Sequence, residues 1–275
     1  MRSDIVSCKA QAIREKMKRG EVVLGGHTFY LDPAITEALG YHGFEFVWID
    51  AEHSAFDLPT ILQHIVAAAS AGTASIVRVA WNDPVLVKPV LEMGPDGVIF
   101  PMVCTKEQAQ QAVAACRYPP LGVRGFGPRR ANRYGAVDTE TFLTHAEESF
   151  LRIVQIEHVS AVKNLPQILE VEGIDFPLVG PNDLSASAGH PGDTKHPEVR
   201  ALCREVAKVC KAKNRPFGVS LGADDREGIR WWIDQGASFV GCGDDISFLS
   251  SGSRAALAYA RSLLRKEENS QGFEQ

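Results

Sequence analysis

Short apolar runs alternate with longer stretches of helical periodicity along most of the chain. Eight runs read as strands: Val22–Gly25, Phe44–Ile49, Ser75–Val79, Gly97–Phe100, Leu151–Ile156, Phe176–Val179, Pro216–Val219 and Phe239–Gly241. Between them, stretches such as Leu58–Ala71, Thr105–Cys116 and Pro197–Ala212 carry apolar residues at helical spacing, the signature of repeated βα units and a parallel sheet. Helix starts are marked too. Asp57 before Leu58-Pro59, Asn82-Asp83 before Pro84, and His196 before Pro197-Glu198 each place a cap residue or proline in a first turn. An amphipathic helix is expected ahead of the first strand.

Eight such units in 275 residues favour a closed (β/α)8 TIM barrel over an open doubly wound sheet. No Pro/Gly/Ser linker or charge run divides the chain, so residues 1–265 are expected to form one barrel domain and residues 266–275 a polar, disordered tail. The composition, 45% hydrophobic and 23% charged, is that of an ordinary soluble globular enzyme. A formal net charge of -5 gives no global attraction for nucleic acid or an anionic membrane, so no partner of either class is expected. The six cysteines form no C-x-x-C pair and read as reduced, packed thiols. Arg2 to Arg19 hold no apolar leader and no run approaches about 18 apolar residues, which predicts a cytoplasmic address.

In a parallel barrel, polar residues that directly follow a buried strand arrive at the C-terminal rim, where catalysis is done. Here the second strand ends in Asp50-Ala51-Glu52-His53, the third holds Arg78, the fifth ends with Gln155 and Glu157, and the sixth runs into Gly180-Pro181-Asn182-Asp183. Arg78 and Gln155 sit in otherwise apolar strands, so each needs a partner such as a carboxylate, a metal ligand or a substrate. Glu157 and Asp183 end consecutive strands and are metal candidates, since hard carboxylate oxygens suit Mg²⁺ or Mn²⁺. Taken singly, each reads equally well as a helix-capping acid. His53 is the candidate general base, against the plainer reading of a loop histidine hydrogen-bonded to Glu52 or Asp50. Glu92, at the end of the helix after Arg78's strand, orients His53 or is simply a solvated helix-end acid.

Pro119–Gly135 breaks the rhythm with glycines, prolines and four arginines, Arg124, Arg129, Arg130 and Arg133, and reads as a loop over the mouth. It is either a flap bringing guanidinium groups to the acceptor or a solvated basic loop or subunit contact. Its glycine spacing follows a Pro-Pro turn, not a strand, so it is no dinucleotide fingerprint. Met102 and Ser220-Leu221 offer the cleft an apolar wall. Trp48, Trp231 and Trp232 read as packing or interface residues, and the Cys203/Cys210 pair as helix core.

Several long blocks carry a family resemblance: WIDAEHSAFD (Trp48–Asp57), RVAWNDPVLVKPVLEMG (Arg78–Gly94), RYPPLGVRGFG (Arg117–Gly127), QIEHVSAVKNLPQILEVEGID (Gln155–Asp175) and GPNDLSASAG (Gly180–Gly189). Nearly the whole chain resembles the metal-dependent class II pyruvate aldolases of the HpcH/HpaI aldolase/citrate lyase superfamily, typified by 4-hydroxy-2-oxoheptanedioate and 2-keto-3-deoxy-L-rhamnonate aldolases. The resemblance implies aldol cleavage of 4-hydroxy-2-oxo acids to pyruvate and an aldehyde, and the reverse addition, with oxaloacetate decarboxylation as the alternative role. It implies a divalent metal (Mg²⁺ or Mn²⁺, with Co²⁺ a further option) held by Glu157 and Asp183, and chelated by pyruvate through its carboxylate and keto oxygens. Arg78 would bind the keto oxygen with Gln155 in support. His53, paired with Glu92 or Asp50, would be the acid/base group. Amides around Gly180, Pro181, Asn182 and Asp183 would hold the carboxylate; on the flap reading, apart from the resemblance, Arg124 would be the group that meets the acceptor. A cytoplasmic homohexamer with exchanged C-terminal helices is implied as well. Asn182, His158, Glu92 and the arginine-rich segment depart from the family's usual residues, which touches the aldehyde half more than the pyruvate half.

Overall fold

The computed structural model describes residues 8–271. Its elements follow in the order α1 (Cys8–Lys18), β1 (Val23–Thr28), α2 (Ala34–Tyr41), β2 (Phe46–Asp50), α3 (Leu58–Ser70), β3 (Ala74–Arg78), α4 (Pro84–Glu92), β4 (Gly97–Phe100), α5 (Lys106–Cys116) and α6 (Thr139–His145). Then come β5 (Leu151–Ile156), α7 (Val159–Ile168), β6 (Phe176–Val179), α8 (Pro181–Ser187), α9 (Pro197–Ala212), β7 (Gly218–Leu221), α10 (Arg226–Asp234), β8 (Phe239–Asp244) and α11 (Asp245–Gln271). The eight strands pair in parallel with their sequence neighbours, and β8 closes on β1, so the sheet is a complete barrel. All eight expected strands are present. The first is longer than expected, running through His27 to Thr28.

Strand alternation divides the apolar residues into two cores. Val23, Phe46, Trp48, Ile76, Ile99, Leu151, Ile153, Phe176, Leu178 and Phe239 point into the barrel, and Ala10, Ile13 and Met17 of α1 close its floor. Ile49, Val77, Val98, Val154, Val179 and Val240 point outward under the helices. Phe46 and Phe239 stack at 3.8 Å across the interior, and Gly25 leaves room for them, because a Cβ there would overlap the Phe46 ring.

The expected caps form: Asp57, Asp83 and His196 accept the amides of Thr60, Val85 and Glu198. The last helix continues past Leu264 to Gln271, while the expectation for residues 272–275, like that for Arg2 to Ser7, lies outside the described residues. Among the described residues no helix is long and apolar enough to cross a membrane.

Five cysteines, Cys104, Cys116, Cys203, Cys210 and Cys242, are free thiols. Burial pushes the Cys116 and Cys210 thiols up to about 12 and Cys203 up to about 11. Since the thiolate is the nucleophile, an aromatic disulfide reagent should leave these three unreacted in the native protein and titrate them only after denaturation. Fast native labelling of Cys210 would show that α9 opens from the barrel.

Candidate active site

Alternation also builds the site. Two residues beyond Trp48, Ile76 and Ile153 on the inward face stand Asp50, Arg78 and Gln155, which form the next layer toward the C-terminal mouth. A cavity of about 450 Å³ opens there, lined by His27, Trp48, Arg78, Gln155, Asp183 and Ser220 among others.

Asp50 is fully buried and ties three strands together. Its Oδ1 accepts from Arg78 Nε at 3.1 Å and from the amides of Glu52 and His53 at 2.8 and 3.1 Å. Its Oδ2 accepts from Arg78 Nη2 and lies 3.1 Å from His27 Nε2. Arg78 Nη1 reaches Glu52 Oε2 at 2.9 Å and Gln155 Oε1 at 3.4 Å. This is the partner that a guanidinium in an apolar strand requires: Asp50 neutralises its charge while the Nη1 edge stays beside the cavity.

Glu157 is buried at the end of β5; its Oε1 accepts the Met102 amide at 2.7 Å, and its Oε2 accepts from Gln155 Nε2. Met102 takes a left-handed φ of 52° just beyond β4, a costly conformation for a side-chain-bearing residue, and from there presents that amide. Burial pushes the Glu157 carboxyl up to about 8, and the negative charges of Glu52 and Asp183 push in the same direction. Burial likewise raises Glu52. Glu157, Glu52 and Asp183 thus share one corner, where Arg78 is a counter-charge to both Glu52 and Glu157. That donor set fits a divalent cation, and hard oxygens select Mg²⁺ or Mn²⁺ over softer ions.

Gly180 is part of the fit. A Cβ at this position would meet Glu157 Oε2 at 2.5 Å and Gln155 Nε2 at 2.7 Å. Gly180→Ala should therefore displace the Glu157 carboxylate and weaken divalent-cation binding about 10- to 100-fold, the range for lost second-shell support of a ligand. Calorimetric titration reads the change; wild-type affinity in the variant would remove Glu157 from the candidate ligands.

The structure places the expected residues unequally. Gly180 caps α8, and Pro181, Asn182 and Asp183 form its first turn at the cavity edge. His53 lines the mouth with a half-exposed side chain, and its Nε2 stands 3.9 Å from Glu52 Oε2. Its neighbour is thus Glu52; Asp50 receives only its backbone amide. Within the chain, Glu92 and Arg124 do not join this group. They pair with each other at 3.0 Å, and Arg124 lies buried over the Tyr118 ring. Arg124 lines a different cavity, with Ser75 and Asp96 at the strands' N-terminal ends.

Pro119–Gly135 is accordingly not a loop over this chain's own mouth. Val123 and Ala131 donate to the carbonyls of Ala114 and Glu92, fastening the segment where α4 and α5 end. Trp48, expected as a packing or interface residue, also lines the cavity, between Arg78 at 4.9 Å and His27 at 4.4 Å. His27 was missed altogether. The Gly25-Gly26 pair interrupts the apolar pattern just before it; the signal was period-2 alignment from Val23 to His27.

A second group, His190, His196 and Glu198, brings ligand atoms within 4.8 Å of one another around the start of α9. His190 Nε2 is bonded to Glu198 Oε2 at 2.9 Å and His196 caps α9, so both already have structural partners.

The model of the family described as HpcH/HpaI aldolase/citrate lyase matches residues 30–251. The chain is 36% identical over 249 residues to 4-hydroxy-2-oxo-heptane-1,7-dioate aldolase of Klebsiella pneumoniae subsp. pneumoniae, covering 90% of this chain and 92% of that protein. It is 36% identical over 234 residues to 5-keto-4-deoxy-D-glucarate aldolase of Escherichia coli, covering 84% and 89%. A crystal structure of an HpcH/HpaI aldolase/citrate lyase family protein from Burkholderia cenocepacia superposes with a TM-score of 0.86 at 29% identity, over 91% of this chain and 99% of that one.

Proposed function

The chain belongs to the HpcH/HpaI aldolase/citrate lyase family, and on that premise we propose that it is a divalent-metal-dependent aldolase cleaving 4-hydroxy-2-oxo acids to pyruvate and an aldehyde. It is a carbon–carbon lyase, as its aldolase relatives are. One observation carries the finer reading. A buried arginine, paired with Asp50 and reaching Glu52, lines the same cavity as Asp183 and stands beside the buried Glu157, so positive charge lies close to the place where an oxyanion would form and carboxyl groups close to where a cation would bind.

Glu157 and Asp183 would hold the cation, which supplies stabilisation of negative charge on the keto oxygen. Arg78 donates to that same oxygen. As the C3–C4 bond breaks, its electron pair passes to C2–C3 and charge grows on the oxygen facing the guanidinium, the place where a fixed donor lowers the barrier most. Gln155 keeps both groups in register, since its amide bonds Glu157 through nitrogen and Arg78 through oxygen. The backbone of Gly180–Asp183 would receive the carboxylate of pyruvate. His53, at the open rim, delivers the proton to C3 through water. Loss of carbon dioxide from oxaloacetate yields the same enolate, so decarboxylation accompanies cleavage, and the ratio of the two turnovers decides which role dominates. The leucines exposed on α11, with Leu249 at 60% and Leu264 at 64%, support a homo-oligomer, with a hexamer that exchanges these helices as the expected form.

The enolate can be tested without knowing the aldehyde. Pyruvate in deuterated water should lose its methyl proton signal with enzyme plus Mg²⁺ or Mn²⁺, and keep it with metal-stripped enzyme. Absence of exchange with every divalent metal would refute the reading.

A further inference from the structure

On the reading above, the pyruvate half of the substrate belongs to β3, β5 and the first turn of α8, where Arg78, Gln155, Gly180 and Asp183 stand. The barrel closes in sequence order, so the arc left for whatever lies beyond C4 is β7, β8 and β1. Ser220, Asp244 and His27 line the cavity from those three strands in turn, and the account so far uses none of them.

What this arc can bind follows from its donors and acceptors. Burial opposes the charge on Asp50, but the hydrogen bond from His27 and the Arg78 guanidinium outweigh it and hold the carboxyl far below the ordinary range. A carboxylate can only accept, so the ring nitrogen of His27 that faces it, Nε2, carries the proton. Burial lowers the affinity of His27 for a second proton, which leaves Nδ1 with a lone pair and no hydrogen. Phe29 at 4.2 Å and Trp48 at 4.4 Å hold the ring in that orientation, and Nδ1 has no hydrogen-bond partner among the described residues.

Asp244 is the neighbour of His27 in the β1–β8 ladder, and its negative charge acts on the ring. Its Oδ1 accepts the Ser247 amide at 2.8 Å. Its Oδ2 stands beside Gly222, another cavity residue, and among the described residues has neither a hydrogen-bond donor nor a cation. Asp225, on the same rim, is already paired with Lys195 at 3.2 Å. Two atoms that can only accept thus belong to this arc, and the cavity lining holds no lysine and no arginine besides Arg78. A hydroxyl can donate to either atom. A carboxylate or sulfonate can donate to neither and is repelled by Asp244, while an alkyl group strips both of water and leaves them unpaired.

We propose that the substrate carries at least one hydroxyl and no charge beyond C4, so that the aldehyde released is a neutral hydroxyaldehyde, selected by His27 and Asp244. This rests on the aldolase reading and names the acceptor class that reading leaves open.

Three substrates separate the possibilities: 4,5-dihydroxy-2-oxopentanoate, 4-hydroxy-2-oxohexanoate and 4-hydroxy-2-oxoheptanedioate present a hydroxyl, a methyl and a carboxylate beyond C4. With metal-loaded enzyme, kcat/KM for the first should exceed that for each of the others by about 10²-fold, short of the limit for a sealed hydroxyl site because this mouth is open. Asp244→Asn keeps an acceptor for the Ser247 amide and removes the charge, so the deficit of the diacid should shrink about 10-fold. His27→Phe keeps a ring between Phe29 and Trp48 without Nδ1, and the preference for hydroxyl over methyl should shrink about 10-fold. Only ratios within one variant are read, because a loss that acts through Asp50 lowers all three substrates alike. Should the phenylalanine variant fail to fold, the wild-type ratios and Asp244→Asn still decide. A wild type that favours the methyl or the carboxylate, or variants that leave the ratios unchanged, would overturn the selection and leave the aldolase reading standing. An enzyme that cleaves none of the three would overturn both.

Discussion

Arg78→Ala is expected to lower kcat for pyruvate release by about 10²- to 10³-fold, the effect of removing one preorganised oxyanion donor. The same substitution should also destabilise the fold by about 3–5 kcal/mol, because Asp50 is left as a buried charge without its partner. Arg78→Lys separates the two effects. A lysine keeps the positive charge but cannot satisfy both oxygens of Asp50 while also reaching Glu52 and Gln155, contacts that Arg78 makes through three nitrogens. It should recover more stability than activity. Denaturant titration and steady-state kinetics on the two variants check this, and an Arg78→Ala enzyme with near wild-type kcat would remove Arg78 from the chemistry.

Glu157→Gln is the second large effect, and it has opposite signs in function and stability. On the proposed reading this carboxylate is a ligand of the cation, so metal-dependent turnover is expected to disappear at ordinary metal concentrations. Stability of the metal-free protein should change the other way. The folded state holds the Glu157 proton up to about 8, whereas the unfolded chain releases it in the ordinary carboxylate range. A folded pKa above the unfolded one gives a contribution that is full at low pH and lost as pH rises through the folded value. The metal-free wild type should therefore lose stability between those two limits, and Glu157→Gln should lose less. Thermal melts in chelator across that window are the measurement. Parallel curves for the two proteins would mean that Glu157 is not held in a desolvated, crowded corner.

The barrel was legible because its strands are buried on both sides and interrupted by recognisable caps, so periodicity and chemistry marked the same boundaries. The centre of the site was legible for a related reason. Asp50, Arg78, Gln155 and Glu157 are polar residues at inward positions of apolar strands, and only a shared cluster at the mouth accommodates them.

Glu92 and Arg124 show where that reasoning stops. Glu92 belongs to the helix after Arg78's strand, but nine helical residues at a rise of about 1.5 Å each carry it about 13 Å back toward the floor of the barrel. There it meets Arg124, and the arginine-rich segment follows it. Sequence proximity to a catalytic strand says nothing about which end of the following helix a residue occupies in space. His27 failed for the opposite reason. It sits on an inward position of β1, but the expected strand stopped at Gly25, whose missing side chain makes room for Phe46, two residues short of His27.

The central claim is that this mouth uses a cation held by Glu157 and Asp183 to make pyruvate from a 4-hydroxy-2-oxo acid. Pyruvate release from a racemic substrate of this class, followed by coupling to lactate dehydrogenase, tests it directly with metal-stripped protein before and after Mg²⁺, Mn²⁺ or Co²⁺ is restored. The account predicts no release without metal, recovery with metal, and no recovery in Glu157→Ala. Release that persists in metal-stripped protein, or that survives loss of Glu157, would contradict it.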